Sequence, residues 1–173
     1  MNNAVLTNIS RFLLLLFIQG LILKRLSLGW EGIVYVNVMI YPLFILLMPL
    51  RTPRPVILLS AFALGIGVDL FYGTLGLHTS ATVLTAYARS YVLAFMEPRE
   101  GYNVNYSPTK ARMGAPWFLR YASIMMGIHL IAYFSIDAFS PQFFFSIVIK
   151  ALYTFLFSLF FIIIIMQLFN PTD

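Results

Sequence analysis

The residues of this chain that could do chemistry are few, and the most prominent is one aspartate among glycines. Asp69 lies in the stretch Gly65-Ile66-Gly67-Val68-Asp69-Leu70-Phe71-Tyr72-Gly73-Thr74-Leu75-Gly76-Leu77-His78, within a chain that is 61% hydrophobic. An ionised aspartate in the middle of a membrane helix costs roughly 2.5–3.5 kcal/mol, so it usually faces a cavity, a protein interior or a partner. The surroundings of Asp69 are therefore the first place to look for function.

Asp69, His78, His129 and Asp137 are the residue types that a zinc site or a proton relay would use. Their spacing matches no recognised metal motif, so we predict no metal site and expect interhelical hydrogen bonds instead. The sequence also contains no nucleophile elbow, no phosphate-binding glycine loop with lysine, and no cysteine. We therefore predict a protein that is not an enzyme and that uses no cofactor.

Two partners for the Asp69 carboxylate are compatible with the sequence. It could cap backbone amides of the turn from Gly73 to Gly76, or it could pair with Lys150, which lies about eight residues and roughly 12 Å into the last predicted helix. Small residues four positions apart, such as Ala61 and Gly65, let helix backbones approach closely, and Asp69 lies on the same face. This spacing favours packing within the chain, with docking of another membrane protein as the alternative. The structural or partner-binding candidates are Gly65, Asp69, Gly73, Gly76, His78 and Lys150.

The elements that must position these residues are membrane helices. Charged residues make up 10% of the chain, against about 25% in soluble proteins, and the mean hydropathy is +0.89. The 173 residues accommodate about six spans of roughly 20 residues with short connections. We predict an all-α, polytopic six-helix bundle forming one membrane domain over residues 1–173, with a polar loop at 97–116. The predicted spans cover 4–23, 33–50, 55–72, 77–96, 117–136 and 142–169.

Charge asymmetry predicts the orientation of this bundle. Of the basic residues outside the predicted membrane interior, Lys24 and Arg25 lie on one side, and the rest lie on the other: Arg11, Arg51, Arg54, Arg89, Arg99, Lys110, Arg112 and Arg120. The positive-inside rule then predicts that both termini are cytoplasmic and that Asp69 lies in the outer half of the membrane. We interpret the net charge of +5 as loop charge beside anionic headgroups, and expect no nucleic-acid partner.

The stretch from Gly65 to Tyr87 resembles the signature of the rod shape-determining protein MreD family. That signature is Gly-x-x-x-Asp-Leu, then Gly, then Leu-Gly, then an alanine-rich helix containing Ala-Tyr. The matching positions here are Gly65, Asp69, Leu70, Gly73, Leu75, Gly76 and Ala86-Tyr87. The basic proline turn at 51–55 and the six-span layout are also similar, so the resemblance covers essentially the whole chain.

The resemblance implies a non-enzymatic subunit of the bacterial cell-wall elongation complex in the inner (cytoplasmic) membrane. Members of the family maintain rod shape by binding MreC, and through MreC they associate with MreB, RodA and the transpeptidase partner of RodA. This couples the cytoskeleton to peptidoglycan synthesis.

The family bundle is also similar to the substrate-binding subunits of energy-coupling-factor vitamin transporters, which makes such a subunit the alternative function. That alternative predicts a polar pocket open to the outside and a small-residue docking face on the first helix. The first predicted helix instead carries mainly bulky residues from Arg11 to Gln19.

Overall fold

The computed structural model describes residues 2–26, 28–30, 34–138 and 144–169. Within these ranges the long helices are α1 (Asn2–Phe17), α3 (Arg54–Tyr72), α4 (Leu77–Phe95), α6 (Ala115–Ala138) and α7 (Phe144–Leu168). A π-helical turn (Ile18–Ile22) and a 3-10 turn (Leu23–Leu26) extend α1. The short elements are strands β1 (Leu28–Trp30) and β2 (Val34–Val36) and helices α2 (Leu43–Leu47) and α5 (Lys110–Met113).

Four helical segments of the described chain are long and apolar enough to cross a membrane: Val5–Leu26, Arg54–Tyr72, Ala115–Asp137 and Ile147–Leu168. This confirms a helical membrane protein. The helix predicted at 77–96 is present as α4, but its buried face carries His78 and Arg89, which lower its hydropathy. Residues 142–143 of the sixth predicted span, and part of the turn before them, lie outside the described residues.

The prediction of a membrane helix over residues 33–50, with interruptions at Asn37 and Pro42, is wrong because the described part of this segment does not form one helix. Strand β2 pairs antiparallel with β1, residues 37–40 have no regular secondary structure, and α2 provides a helix of 5 residues. Residue 33 itself lies outside the described ranges. Valines at 34, 36 and 38 favour extended backbone because they are branched at Cβ, and Pro42 lacks the N–H that a continuous helix needs.

This broken segment is buried, and side chains from distant helices satisfy its backbone. Residues 38–48 are all buried. Gln19 donates from Nε2 to the Val38 carbonyl at 2.9 Å and accepts the Ile40 N–H at 2.9 Å, while Ser158 Oγ accepts the Met39 N–H at 2.9 Å. Non-helical backbone is tolerated at membrane depth where protein groups meet its hydrogen bonds. Gln19 thus replaces the backbone hydrogen-bond partners that this segment would have in a helix.

We expect Gln19→Leu to lower the free energy of unfolding by about 2 kcal/mol, because leucine leaves one buried carbonyl and one buried N–H unpaired. Equilibrium unfolding of the detergent-solubilised chain measures this loss. Gln167→Leu is the matched control because Gln167 is exposed, and we expect it to change stability by no more than about 0.5 kcal/mol. Equal stability of the two variants would contradict the role assigned to Gln19.

The helices pack so that α4 lies at the centre. It runs along α3 on one side and α6 on the other, while α7 packs on α6, and α1 packs on α2 and α3. Large apolar side chains on α1 and α7, such as Leu6 and Phe160, are more than half exposed. These outer surfaces suit contact with lipid, whereas the polar side chains of α4 face the interior.

The loop at 97–116 folds back on the basic turn before α3. The backbone N–H groups of Leu50 and Arg51 donate to the carbonyls of Tyr106 and Val104 at 3.1 and 3.0 Å. Tyr102 donates its hydroxyl to the Leu93 carbonyl at 2.9 Å. Burial, and secondarily the charge of Glu97, raise the pKa of Tyr102 to about 12, so this hydroxyl stays a neutral donor.

Candidate functional site

The corner between α3 and α4 contains most of the residues that the sequence singled out. Helix α3 ends at Gly73, whose φ is +70°, and Gly76 precedes α4 with φ of +83°. A Cβ at either position would meet nothing within 4 Å. These glycines are therefore needed for their positive φ, which other residues adopt at a cost, and not for space.

Asp69 joins the end of α3 to the start of α4. Its Oδ1 accepts the His78 N–H at 3.0 Å, and its Oδ2 accepts the Thr79 N–H at 3.0 Å. The hydroxyls of Thr74 and Thr79 donate to the same two oxygens, each at 2.5 Å. Asp69 is 4% exposed. Its carboxylate is therefore buried, yet it is fully provided with donors.

This arrangement is a helix cap supplied by the preceding helix. Gly76 occupies the N-cap position of α4 and has no side chain to accept the first amides. Asp69 accepts two of them instead, and its negative charge faces the positive end of the α4 dipole. The Asp69 carbonyl also accepts the N–H groups of Gly73 at 2.8 Å and Thr74 at 3.1 Å. Capping was one of the two roles expected from the sequence. The expected amides were those of the Gly73–Gly76 turn, but the carboxylate accepts amides of α4 instead.

Gly65 lies one turn before Asp69 and contacts the same residue of α4. A Cβ at Gly65 would lie against the Thr79 Cα, with the Thr79 N at 3.0 Å. Gly67 faces the opposite direction, where a Cβ would meet the end of the Leu16 side chain at 2.9 Å. Gly65 thus allows α3 and α4 to approach closely enough for Asp69 to reach the Thr79 amide.

His78 is buried beside this cap. Its Nδ1 lies 3.0 Å from Asp69 Oδ1, and its ring packs against Tyr72 and Tyr133 with centroids 4.7 and 4.9 Å apart. With the carboxylate as acceptor, Nδ1 carries the proton, and Nε2 has no hydrogen-bond partner among the described residues. His78 therefore supports the carboxylate as a donor from inside α4.

A buried polar stripe continues from His78 along α4. Thr85 donates to the Ala81 carbonyl at 2.7 Å, so its oxygen is free to accept from His129 Nδ1 at 2.9 Å. The other ring nitrogen of His129 then accepts from the Tyr41 hydroxyl at 2.8 Å. The two histidines are thus used in interhelical hydrogen bonds, and no cluster of three metal-ligating side chains occurs in the described part of the chain.

Thr79 and most of this stripe are not among the residues predicted from the sequence. The buried members of the stripe on α4 are His78, Thr82, Thr85 and Arg89, which recur at helical spacing. That periodicity was available as a signal, because three or four residues bring a helical side chain back to the same face. The periodicity alone does not show whether the polar face of α4 or its apolar face points into the bundle.

Lys150 lies elsewhere in the same end of the bundle. It lines a cavity of about 370 Å³ together with Lys24, Asn37, Tyr72, Tyr133, Phe134 and Asp137. Asp69 is not among the described residues that line it. The pairing of Asp69 with Lys150 stays a prediction, and the carboxylate has the five hydrogen-bonding partners described above.

Comparison of the chain with protein-family models, with curated proteins and with solved structures found no match.

Proposed function

We propose that this chain is a non-enzymatic membrane subunit of the MreD type, which binds MreC in the bacterial inner membrane and couples the cytoskeleton to peptidoglycan synthesis. The observation that carries the proposal is the convergence of the signature residues at one corner. Gly65, Asp69, Gly73 and Gly76 each have a separate task in joining α3 to α4. These four residues span 12 positions of the signature, and a shared task at one corner accounts for their spacing.

The proposed topology retains six crossings, of which the second is not a helix. Lys24, after α1, donates to the Phe71 carbonyl at 2.5 Å near the end of α3, whereas residues 50–51 bond to the 97–116 loop at the other end. The segment from β1 through α2 therefore runs between the two ends of the bundle. Arg51, Arg54 and the basic loop share the end opposite Lys24, which supports a cytoplasmic position for that end.

Leu75 is the most exposed of the large apolar side chains in the signature, ahead of Leu70 and Tyr87. Leu75 is fully exposed at the tip of the corner, so packing within the chain does not explain why a leucine occurs there. An exposed leucine at a turn, beside a rigid capped corner, presents an apolar contact at the proposed outer surface. We assign this position to the contact with MreC.

The test is recovery of MreC with the tagged full-length chain, purified from its native membrane in mild detergent. We expect MreC to accompany the wild type, and Leu75→Glu to lower its recovery at least about fivefold, the effect of losing more than 1 kcal/mol of contact. Phe95→Glu is the matched control, since Phe95 is 85% exposed at the opposite end of α4. Absence of MreC from the wild-type preparation would overturn the function, and full recovery with Leu75→Glu would overturn the contact.

A small-molecule-binding subunit of a vitamin transporter is the second candidate. The cavity lined by Lys24, Asn37, Asp137 and Lys150 favours it, because such a subunit needs a polar pocket at the outer end. Micromolar vitamin should then raise the melting temperature of the purified chain, since a ligand that binds the folded form stabilises it by mass action. No change with any vitamin would count against this candidate.

A further inference from the structure

Arg89 is a buried cation that forms no ion pair within the described part of the chain. The residue is 2% exposed, and its guanidinium donates from Nη2 to the Met48 carbonyl, while Nε has no partner. A carbonyl is neutral, and no carboxylate in the described residues forms an ion pair with Arg89. A buried charge without a counter-ion is strongly unfavourable, so an anionic group from outside the chain would relieve this cost.

Arg89 lines a cavity that could admit such a group. The cavity measures about 450 Å³, and its polar lining includes Arg54, Arg89, Thr52, Ser90, Tyr102 and Glu97. Arg54 and Glu97 are both exposed, so the charged part of the lining consists of two arginines and one glutamate. The excess of positive charge, together with two arginine forks and hydroxyl donors, suits a phosphate group.

The position of the cavity indicates where the phosphate comes from. Arg54 is the first residue of α3, a helix apolar enough to cross a membrane, so the cavity lies at the depth of lipid headgroups. A second, apolar groove of about 690 Å³ runs beside it between α1 and α3, lined by residues such as Ile9, Phe12 and Val56. The cavity and the groove share Thr52 and Pro53.

We propose that these two adjoining spaces bind one anionic phospholipid, with its phosphate held by Arg89 and Arg54 and an acyl chain in the groove between α1 and α3. Arg51, which lines the groove, adds positive charge near the shared turn. The lipid completes the bundle at the end opposite the Asp69 corner and supplies the counter-ion that Arg89 lacks.

Binding of short-chain lipids to the delipidated full chain in detergent tests the charge requirement. We expect dioctanoyl phosphatidylglycerol to bind about tenfold more tightly than dioctanoyl phosphatidylcholine, and Arg54→Gln to remove most of this preference. Arg54 is exposed, so the variant should fold normally. Arg120→Gln is the matched control, because Arg120 is an exposed arginine on α6, and it should keep the preference. Equal binding of the two lipids, or an unchanged preference in Arg54→Gln, would overturn the proposal.

A second pair of variants separates a lipid from free phosphate. Val56→Trp should fill the groove and weaken phosphatidylglycerol binding about tenfold. Leu59→Trp should not, because Leu59 is on the same helix and 68% exposed but does not line the groove. Sodium phosphate alone should stabilise the wild type much less than the lipid does at equal concentration. If sodium phosphate matches the lipid and Val56→Trp has no effect, the site takes free phosphate and the lipid assignment is wrong.

Discussion

Asp69→Asn is expected to lower the free energy of unfolding by about 4 kcal/mol, the largest effect of a near-isosteric change in this chain. Asparagine replaces one carboxylate oxygen with an amide that donates, so either the His78 N–H or the Thr79 N–H faces another donor. Each unsatisfied buried group costs about 1–3 kcal/mol, and the favourable charge at the α4 N-terminus adds about 0.3–2 kcal/mol. Equilibrium unfolding in detergent measures the loss.

The control for this change is Asp137→Asn, which alters an exposed carboxylate on α6 and should change stability by no more than about 0.5 kcal/mol. A double-mutant cycle with Thr79→Val then tests the contact itself. Asp69 accepts both the amide and the hydroxyl of Thr79, so the losses from the two single changes should not add. Additive losses, or equal stability of the two asparagine variants, would show that the carboxylate is not the cap of α4.

Gly65→Ala is expected to lower the free energy of unfolding by about 3 kcal/mol, although alanine has the higher helix propensity by about 1 kcal/mol. The added Cβ would lie against the backbone of Thr79, which cannot rotate away as a side chain can. The helices must separate, and overpacking of this kind costs about 1–3 kcal/mol. Separation also lengthens the hydrogen bond from Thr79 to Asp69, which adds to the loss.

Gly67→Ala provides the comparison on the same helix. Its Cβ would meet the end of the Leu16 side chain, which can move to another rotamer, so we expect a change within about 1 kcal/mol. Thermal unfolding of both variants, monitored by circular dichroism, distinguishes the two glycines. If Gly67→Ala is the more destabilising of the two, the close approach of α3 to α4 is not what Gly65 provides.

Much of the helical framework was predictable because its signals are local. The span predicted at 55–72 is α3, Arg54–Tyr72, and that predicted at 77–96 is α4, Leu77–Phe95. Prolines and glycines bound these segments, and such residues act on the backbone of their immediate neighbours. The helix prediction for residues 33–50 failed because a run of 18 mostly apolar residues is compatible both with a helix and with a buried chain that is not helical.

The choice between those two conformations was made by contacts that are distant in the sequence. Gln19 meets the backbone of Val38 and Ile40, and Ser158 meets that of Met39. Neither partner can be identified from the segment itself, because buried backbone can be satisfied by any donor or acceptor that the fold brings near. The same limit applied to Arg89, whose lack of an anion depends on every helix around it.

The sequence by itself determined that this is a helical membrane protein, roughly where its long apolar helices begin and end, and that Asp69 among its glycines is a candidate for a structural or partner-binding role. These properties follow from hydropathy and backbone preference, which act over a few residues. The tertiary structure decided which amides Asp69 caps, that Gly65 and Asp69 meet at Thr79, and that α4 turns its polar face inward. Those outcomes depend on the distance between helices, and that distance is set by side chains far apart in the chain.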